Sequence, residues 1–196
     1  MAERADWEWN EHPVLQLDFN EISHDTPQNL EQGLKSSLVD TARAYGVLTG
    51  KSLLKEQFKE LILKLYQSTG QPVVVLIDEY DKPIIDHLGQ GEARLQIAEA
   101  NRDIQKYFFG VLKGGEVMDV LRMLFITGIS RFSRVSIFSE LNNLYDLSMH
   151  TRYADMLGYT QAELESYFKA HIQHLAYTTG STGDQIKEAL SQYYSL

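Results

Sequence analysis

Three short stretches carry residue types suited to chemistry. Pro72-Val-Val-Val-Leu-Ile77 is an unbroken apolar run that ends in Asp78-Glu79. Paired acids at such a point suit metal-assisted phosphoryl transfer: one carboxylate associates with a divalent cation, usually through water, and the next orients or deprotonates the attacking water. Strand ends also reach solvent, where acids are common, so the pair alone leaves both readings open. Leu121-Arg-Met-Leu-Phe-Ile126 repeats the apolar pattern and ends in Thr127-Gly128. Thr127 therefore stands to its strand as Asp78 stands to its own, although Thr-Gly is also a frequent turn. Arg131 and Arg134 follow, and either suits an anion or an ordinary solvated loop.

The third stretch is Gly50-Lys51-Ser52. A phosphate-binding loop needs G-x-x-x-x-G-K-[ST], because its backbone amides must curl around the phosphates. Only three residues separate Gly46 from Gly50, and Tyr45 stands where the first glycine belongs. A true loop of this kind also joins a strand to a helix, whereas this one lies between two helical patterns. Gly46 is more simply a helix C-cap and Ser52 a helix N-cap.

Weaker constellations remain. Asp18, Asp78, Glu79 and Asp81 form a candidate nuclease-like metal cluster, with Lys82 as its nearest lysine. His171 and His174 are spaced i, i+3 but lack an evident third ligand. Trp7 and Trp9 read as a packing anchor.

The elements that must position these residues follow from periodicity and caps. Pro13–Phe19 reads as a strand, and Thr26-Pro27 gives an N-cap with proline at the first helical position. Leu30, Leu34, Leu38 and Tyr45 mark one face of that helix, which Gly46 ends. Leu54, Phe58, Leu61, Ile62 and Leu65 mark a second helix, stopped at Thr69-Gly70. The two apolar runs read as strands covered on both faces. Between them a helix is expected over Glu92–Lys113, with Ile97, Ile104, Phe108 and Val111 inward. This alternation means α/β with a parallel sheet. Beyond Leu147 the pattern turns to short helices: Thr160-x-x-Glu163 is a capping box before Leu164, Phe168, Ile172 and Leu175, and a last helix carries Ile186, Leu190 and Tyr193.

With 196 residues and 43% hydrophobic content, the chain can bury a sizeable core. It has no cysteine, which excludes disulfides and thiolate metal sites. No apolar run approaches membrane-spanning length and the polar N-terminus is no secretory signal, so a cytoplasmic location is expected. A net charge of −9 disfavours nucleic acid as a partner.

At the level of whole motifs, "PVVVLIDEYDKPIID" and "FITGISRFSRVSIFSELNNLYDLSMHTRYADMLGYTQAELESYF" resemble the predicted AAA-ATPase-like family of bacteria, and "DWEWNEHPVLQLDFNEIS" is similar to its segment after the P-loop helix. The resemblance implies a P-loop NTPase sheet of the AAA-like ASCE type, with ATP and Mg²⁺ as cofactors. It makes Asp78 the Mg²⁺-associated and nucleotide-binding Walker B acid, Glu79 the catalytic acid, and Thr127 to Arg131 the sensor region. Family members carry their P-loop before the DWEW segment, so residues 1–150 are expected to be a truncated ATPase core and 151–196 the start of a helical lid. Activity is then expected of the complete protein rather than of this chain. The strand order so implied leaves Leu121–Ile126 with an unpaired edge, open to self-association or to the chain's own Trp7–Trp9 segment or tail. From a different class, the alternative is a non-catalytic interaction module that keeps the fold.

Overall fold

A computed structural model of the chain describes residues 10–129, 144–147, 150, 153 and 160–194. The chain forms two compact units, Met1–Leu144 and Tyr145–Leu196.

The first unit is built on a three-stranded parallel sheet of β1 (Val14–Asp18), β2 (Val73–Asp78) and β3 (Leu121–Ile126), in the order β1-β2-β3. Between β1 and β2 run two helices, α1 (Pro27–Ala44) and α2 (Leu54–Thr69). The Thr26 hydroxyl accepts the Asn29 amide at 3.2 Å, which satisfies one donor of the first turn of α1. Its other end closes as a Schellman motif: Gly46 takes φ 65, its amide donates to the Arg43 carbonyl and that of Val47 to the Ala42 carbonyl. Gly70, at φ 66, ends α2 in the same left-handed conformation. The start of α2 departs from expectation, because its cap falls at Leu53 without a side-chain bond rather than at Ser52.

After β2 come a single turn, α3 (Lys82–Ile85), and α4 (Glu92–Phe109), which tightens into a 3₁₀ turn over Gly110–Lys113 instead of continuing as an α-helix. A short α5 (Gly115–Met118) leads into β3. The core lies on one face of the sheet, where Leu15, Leu17, Val75 and Ile77 meet Leu30, Leu34 and Leu38 of α1 and Phe58, Leu61, Ile62 and Leu65 of α2.

Both apolar strands are less covered than their sequences suggest. Val74 and Leu76 of β2 are half-buried on the second face. In β3, Met123 is 48% and Phe125 38% exposed, and β2 is the strand's one partner among the described residues. Apolarity states what a strand can bury, whereas burial depends on what packs against it.

The second unit holds α6 (Gln161–Tyr167), α7 (Lys169–Thr179) and α8 (Gly183–Tyr194), packed around Ile172, Ala176 and Ile186. The capping box forms: the Thr160 amide donates to the Glu163 carboxylate at 2.9 Å, and the Glu163 amide to the Thr160 hydroxyl at 3.3 Å. The expected apolar face shifts because the helix breaks at Phe168, so Ala176 turns inward and Leu175 is 43% exposed.

Candidate functional site

The register brings Asp18 beside Asp78 and Ile77 beside Ile126, so Asp18, Asp78 and Thr127 stand at the carboxyl tips of three adjacent parallel strands. This is the edge where open parallel sheets bind ligands. The Thr127 hydroxyl donates to Asp78 Oδ1. The Glu79 amide donates to the same oxygen at 3.1 Å. Main-chain bonds lock the tips together: Phe19 N–H to the Asp78 carbonyl at 3.1 Å, Thr127 N–H to that of Ile77 at 2.9 Å, and Tyr80 N–H to that of Thr127 at 3.1 Å.

Glu79 is the one residue other than glycine with positive φ among the described residues, at 52. A side chain there is disfavoured by contact with its own backbone, and such residues concentrate at functional sites. Gly128 explains how the β3 exit lies so close to the β2 exit. A Cβ there would stand 2.5 Å from Tyr80 Cε1 and 2.7 Å from Asp81 Oδ1, inside contact distance.

The chain just after Glu79 is held by buried polar groups. On α4, Gln105 Nε2 donates to the Tyr80 carbonyl at 2.6 Å, and Asn101 Nδ2 reaches the carbonyls of Pro83 and His24, each at 2.9 Å. Both amides are fully buried. The His24 carbonyl also accepts from His87 Nε2 at 2.9 Å. The His24 ring nitrogens lie 2.8 Å from the Ile22 carbonyl and 3.0 Å from Asp86 Oδ2. Partial burial disfavours the charge of Asp86, but hydrogen bonds from His24 and Lys82 outweigh it and hold this carboxyl below its ordinary range.

The nuclease-like cluster does not assemble. Asp81 is wholly buried against Gly128, Asp18 accepts the backbone and side-chain nitrogens of its own turn residue Asn20, and Lys82 pairs with Asp86 at 3.2 Å. Among the described residues no group of three or more His, Asp or Glu could hold a metal, which applies equally to His171 and His174. A polar hollow of about 350 Å³ lined by Gln16, Asp18, Glu21 and Ser37 opens at β1, with Asp18, the register neighbour of Asp78, on its wall.

The Gly50-Lys51-Ser52 loop is closed on itself. The amides of Gly50 and Lys51 donate to Glu60 Oε2 at 2.9 and 3.0 Å, and Lys64 approaches Glu60 Oε1 at 3.1 Å. The Lys51 amide foremost, then that of Gly50 and Lys64, hold the Glu60 carboxyl below its usual range despite some desolvation. Its anion site is occupied from within.

Arg131, Arg134, Trp7 and Trp9 lie outside the described residues. Sequence reasoning missed Asn101, Gln105, His24, Asp86 and the packing role of Gly128. One signal was available: Asn101 and Gln105 fall on the stripe with Ile97, Ile104 and Phe108, where an amphipathic helix ordinarily places apolar residues.

No solved structure matches the chain. A curated relative from Azotobacter chroococcum mcd 1, an uncharacterized protein in the vnfD 5′ region, is 35% identical over 170 residues. The match covers 86% of this chain and 32% of the relative, so the chain spans about a third of that protein's length. The family model described as Predicted AAA-ATPase matches residues 1–138, more than half of the chain, and the chain belongs to this AAA-ATPase-like family.

Proposed function

We propose that the carboxyl edge of the sheet is the metal and water side of an ATPase site, with Asp78 and Glu79 as Walker B acids and Thr127 as the sensor. The observation that carries this reading is the Thr127 hydroxyl bound to Asp78 across two neighbouring strand tips, next to a glutamate in a strained backbone conformation. The donor set fits Mg²⁺ in one particular way. Mg²⁺ keeps several waters and takes one or two carboxylates plus substrate phosphates, so an exposed Asp78 that joins no group of three ligands among the described residues suits a cation that arrives with the nucleotide, not a resident one. Bound Mg·ATP supplies the phosphoryl group and the charge that offsets its developing negative charge.

The chain's own residues then divide the work. Asp78 is oriented by two donors on one oxygen, which keeps its carboxylate in a single pose. Glu79, half-buried beside it, accepts a proton from the attacking water or orients it. Thr127 links the two strand tips and reports a change at either. Arg131 is assigned to the same sensor region by family resemblance alone. A cytoplasmic ATPase fits the chain, in which no described helix is long and apolar enough to cross a membrane.

Expression from the longest open reading frame that contains the chain tests this. Glu79→Gln is expected to abolish Mg·ATP hydrolysis while nucleotide binding persists. Hydrolysis by Glu79→Gln at the unsubstituted rate rejects the assignment. The interaction-module reading draws on a separate observation, the exposed Met123 and Phe125 on a strand with a single described neighbour. It predicts concentration-dependent self-association and no hydrolysis from any frame.

A further inference from the structure

We propose that the outer edge of β1 docks an extended segment of another chain, which pairs with it as a further strand and sets a lysine or arginine in the hollow beside Asp18. The main chain of β1 carries the argument. The Val74 amide donates to the Pro13 carbonyl at 2.9 Å and the Phe19 amide to the Asp78 carbonyl at 3.1 Å, so the odd-numbered residues turn their N–H and C=O groups toward β2. Those of Val14, Gln16 and Asp18 therefore point away from the sheet. Two of the outward groups are used: the Val14 amide donates to the Tyr45 hydroxyl at 2.7 Å, and the Asp18 carbonyl accepts the Glu21 amide at 3.1 Å. The Val14 carbonyl, both groups of Gln16 and the Asp18 amide have no partner among the described residues. They form a row of alternating acceptors and donors on a strand whose own sequence, VLQLD, has no proline or lysine to blunt it. Such a row is what an added strand binds.

The hollow selects the occupant. It opens along this edge, and its lining residues Gln16, Asp18, Glu21 and Ser37 include two acids and no base. The Glu21 side chain is exposed and makes no hydrogen bond or ion pair among the described residues, so its charge is available to a visitor. A second copy of the chain fits poorly, because pairing β1 with β1 brings the same acids together on two molecules that each carry a net charge of −9. A segment with basic side chains meets both the free backbone groups and the charge. The inference is independent of the ATPase assignment.

A capped peptide of alternating lysine and valine, seven residues long, is the probe, and amide exchange with water in the full 196-residue chain is the readout. At ten times its Kd the peptide is expected to slow the Gln16 and Asp18 amides about tenfold, while Leu15 and Leu17, already paired with β2, keep their rates. That alternation separates strand pairing from attraction to an acidic surface. No slowing, or equal slowing along β1, overturns the proposal. The peptide with N-methylated valines, which has lost its donors, is expected to bind at least tenfold more weakly, and equal affinity overturns the pairing. A glutamate-valine peptide that binds as tightly as the lysine one overturns the choice of a basic partner. Protection of Gln16 and Asp18 that rises with protein concentration in the absence of peptide shows a second copy on the edge and likewise overturns it. Gln16→Pro removes the central outward donor and none of the bonds to β2, and should abolish the slowing at Asp18. Should that variant fail to fold, Glu21→Lys decides: it is expected to weaken the lysine peptide several-fold, and an unchanged Kd overturns the role of the hollow.

Discussion

Two loops in this chain invite a phosphate-handling interpretation, and they are organised in opposite ways. Gly50-Lys51-Ser52 has the suggestive letters, but its amides already bind Glu60, an anion supplied from the facing helix. The Asp78-Glu79 turn has its backbone groups held just as firmly, yet the Asp78 carboxylate is exposed at the edge of a parallel sheet. In the first loop the hydrogen bonds consume the groups that would meet a ligand. In the second they come from Thr127 and the sheet, and hold the acids in place while leaving them accessible. What separates a binding loop from a structural one is which of its polar groups remain uncommitted.

The largest effect expected from this contrast is on turnover. In the longest reading frame, Asp78→Asn or Glu79→Gln should lower kcat by roughly a hundredfold or more, the order lost with a general base or a fixed charge. Lys51→Ala should leave it within about twofold, since surface changes away from such sites are near neutral. A steady-state assay of both variants breaks the comparison if the two losses are alike.

The next effect is on stability. Gly128→Ala drives a methyl group to within 2.5 Å of the Tyr80 ring, itself 3% exposed, so the two strand exits must separate. Overpacking of this kind costs about 1–3 kcal/mol. Gly50→Ala meets nothing within 4 Å and should stay within about 0.5 kcal/mol of the unsubstituted chain. Urea unfolding of both proteins measures the difference.

Much of the frame was legible in the sequence, and the reason is locality. Thr26-Pro27, Gly46, Gly70 and the Thr160 and Glu163 capping box act within one turn of the chain, so their letters nearly suffice. The acids at the tip of β2 and Thr127 at the tip of β3 were legible because a parallel sheet aligns its strand ends. Gln105 was not, because its partner Tyr80 lies 25 residues away and helical periodicity registers only apolar faces. Gly128 was read as a turn, and its close approach to Tyr80 is a tertiary fact. The exposure of β3 was misread for a similar cause: an apolar run looks identical in the centre of a sheet and at its edge.

That edge gives a third way to sharpen the comparison, because β3 carries Thr127 to the site. In a dilute monomeric sample, amides of Leu121–Ile126 that do not pair with β2 should exchange fast, and association should slow them. Phe125→Lys places a charge on the exposed face and should suppress any self-association seen by sedimentation, with a stability change of about 0.5 kcal/mol or less. Equal protection on both sides of β3 in the monomer rejects an open edge.

The smallest effect concerns the closed loop and has a definite sign. Glu60 ionises below its ordinary value of 4.5 in the folded chain, because the amides of Lys51 and Gly50 and the Lys64 ammonium bind its charged form. A carboxyl depressed by folding contributes stability that is present in full above the unfolded value and is lost as pH falls through the folded one. The loop should therefore be indifferent to pH from neutrality down to about 5 and loosen below about 4.5, as protons displace the hydrogen bonds that close it. Amide exchange at Gly50 and Lys51, corrected for intrinsic rates, should accelerate in that window. Glu60→Gln should show faster exchange at neutral pH and little further change on acidification, since its amide oxygen is a weaker acceptor and does not titrate. If both proteins respond to acid equally, the carboxylate is not what closes the loop, and the Gly50-Lys51-Ser52 amides would again be available to an outside anion.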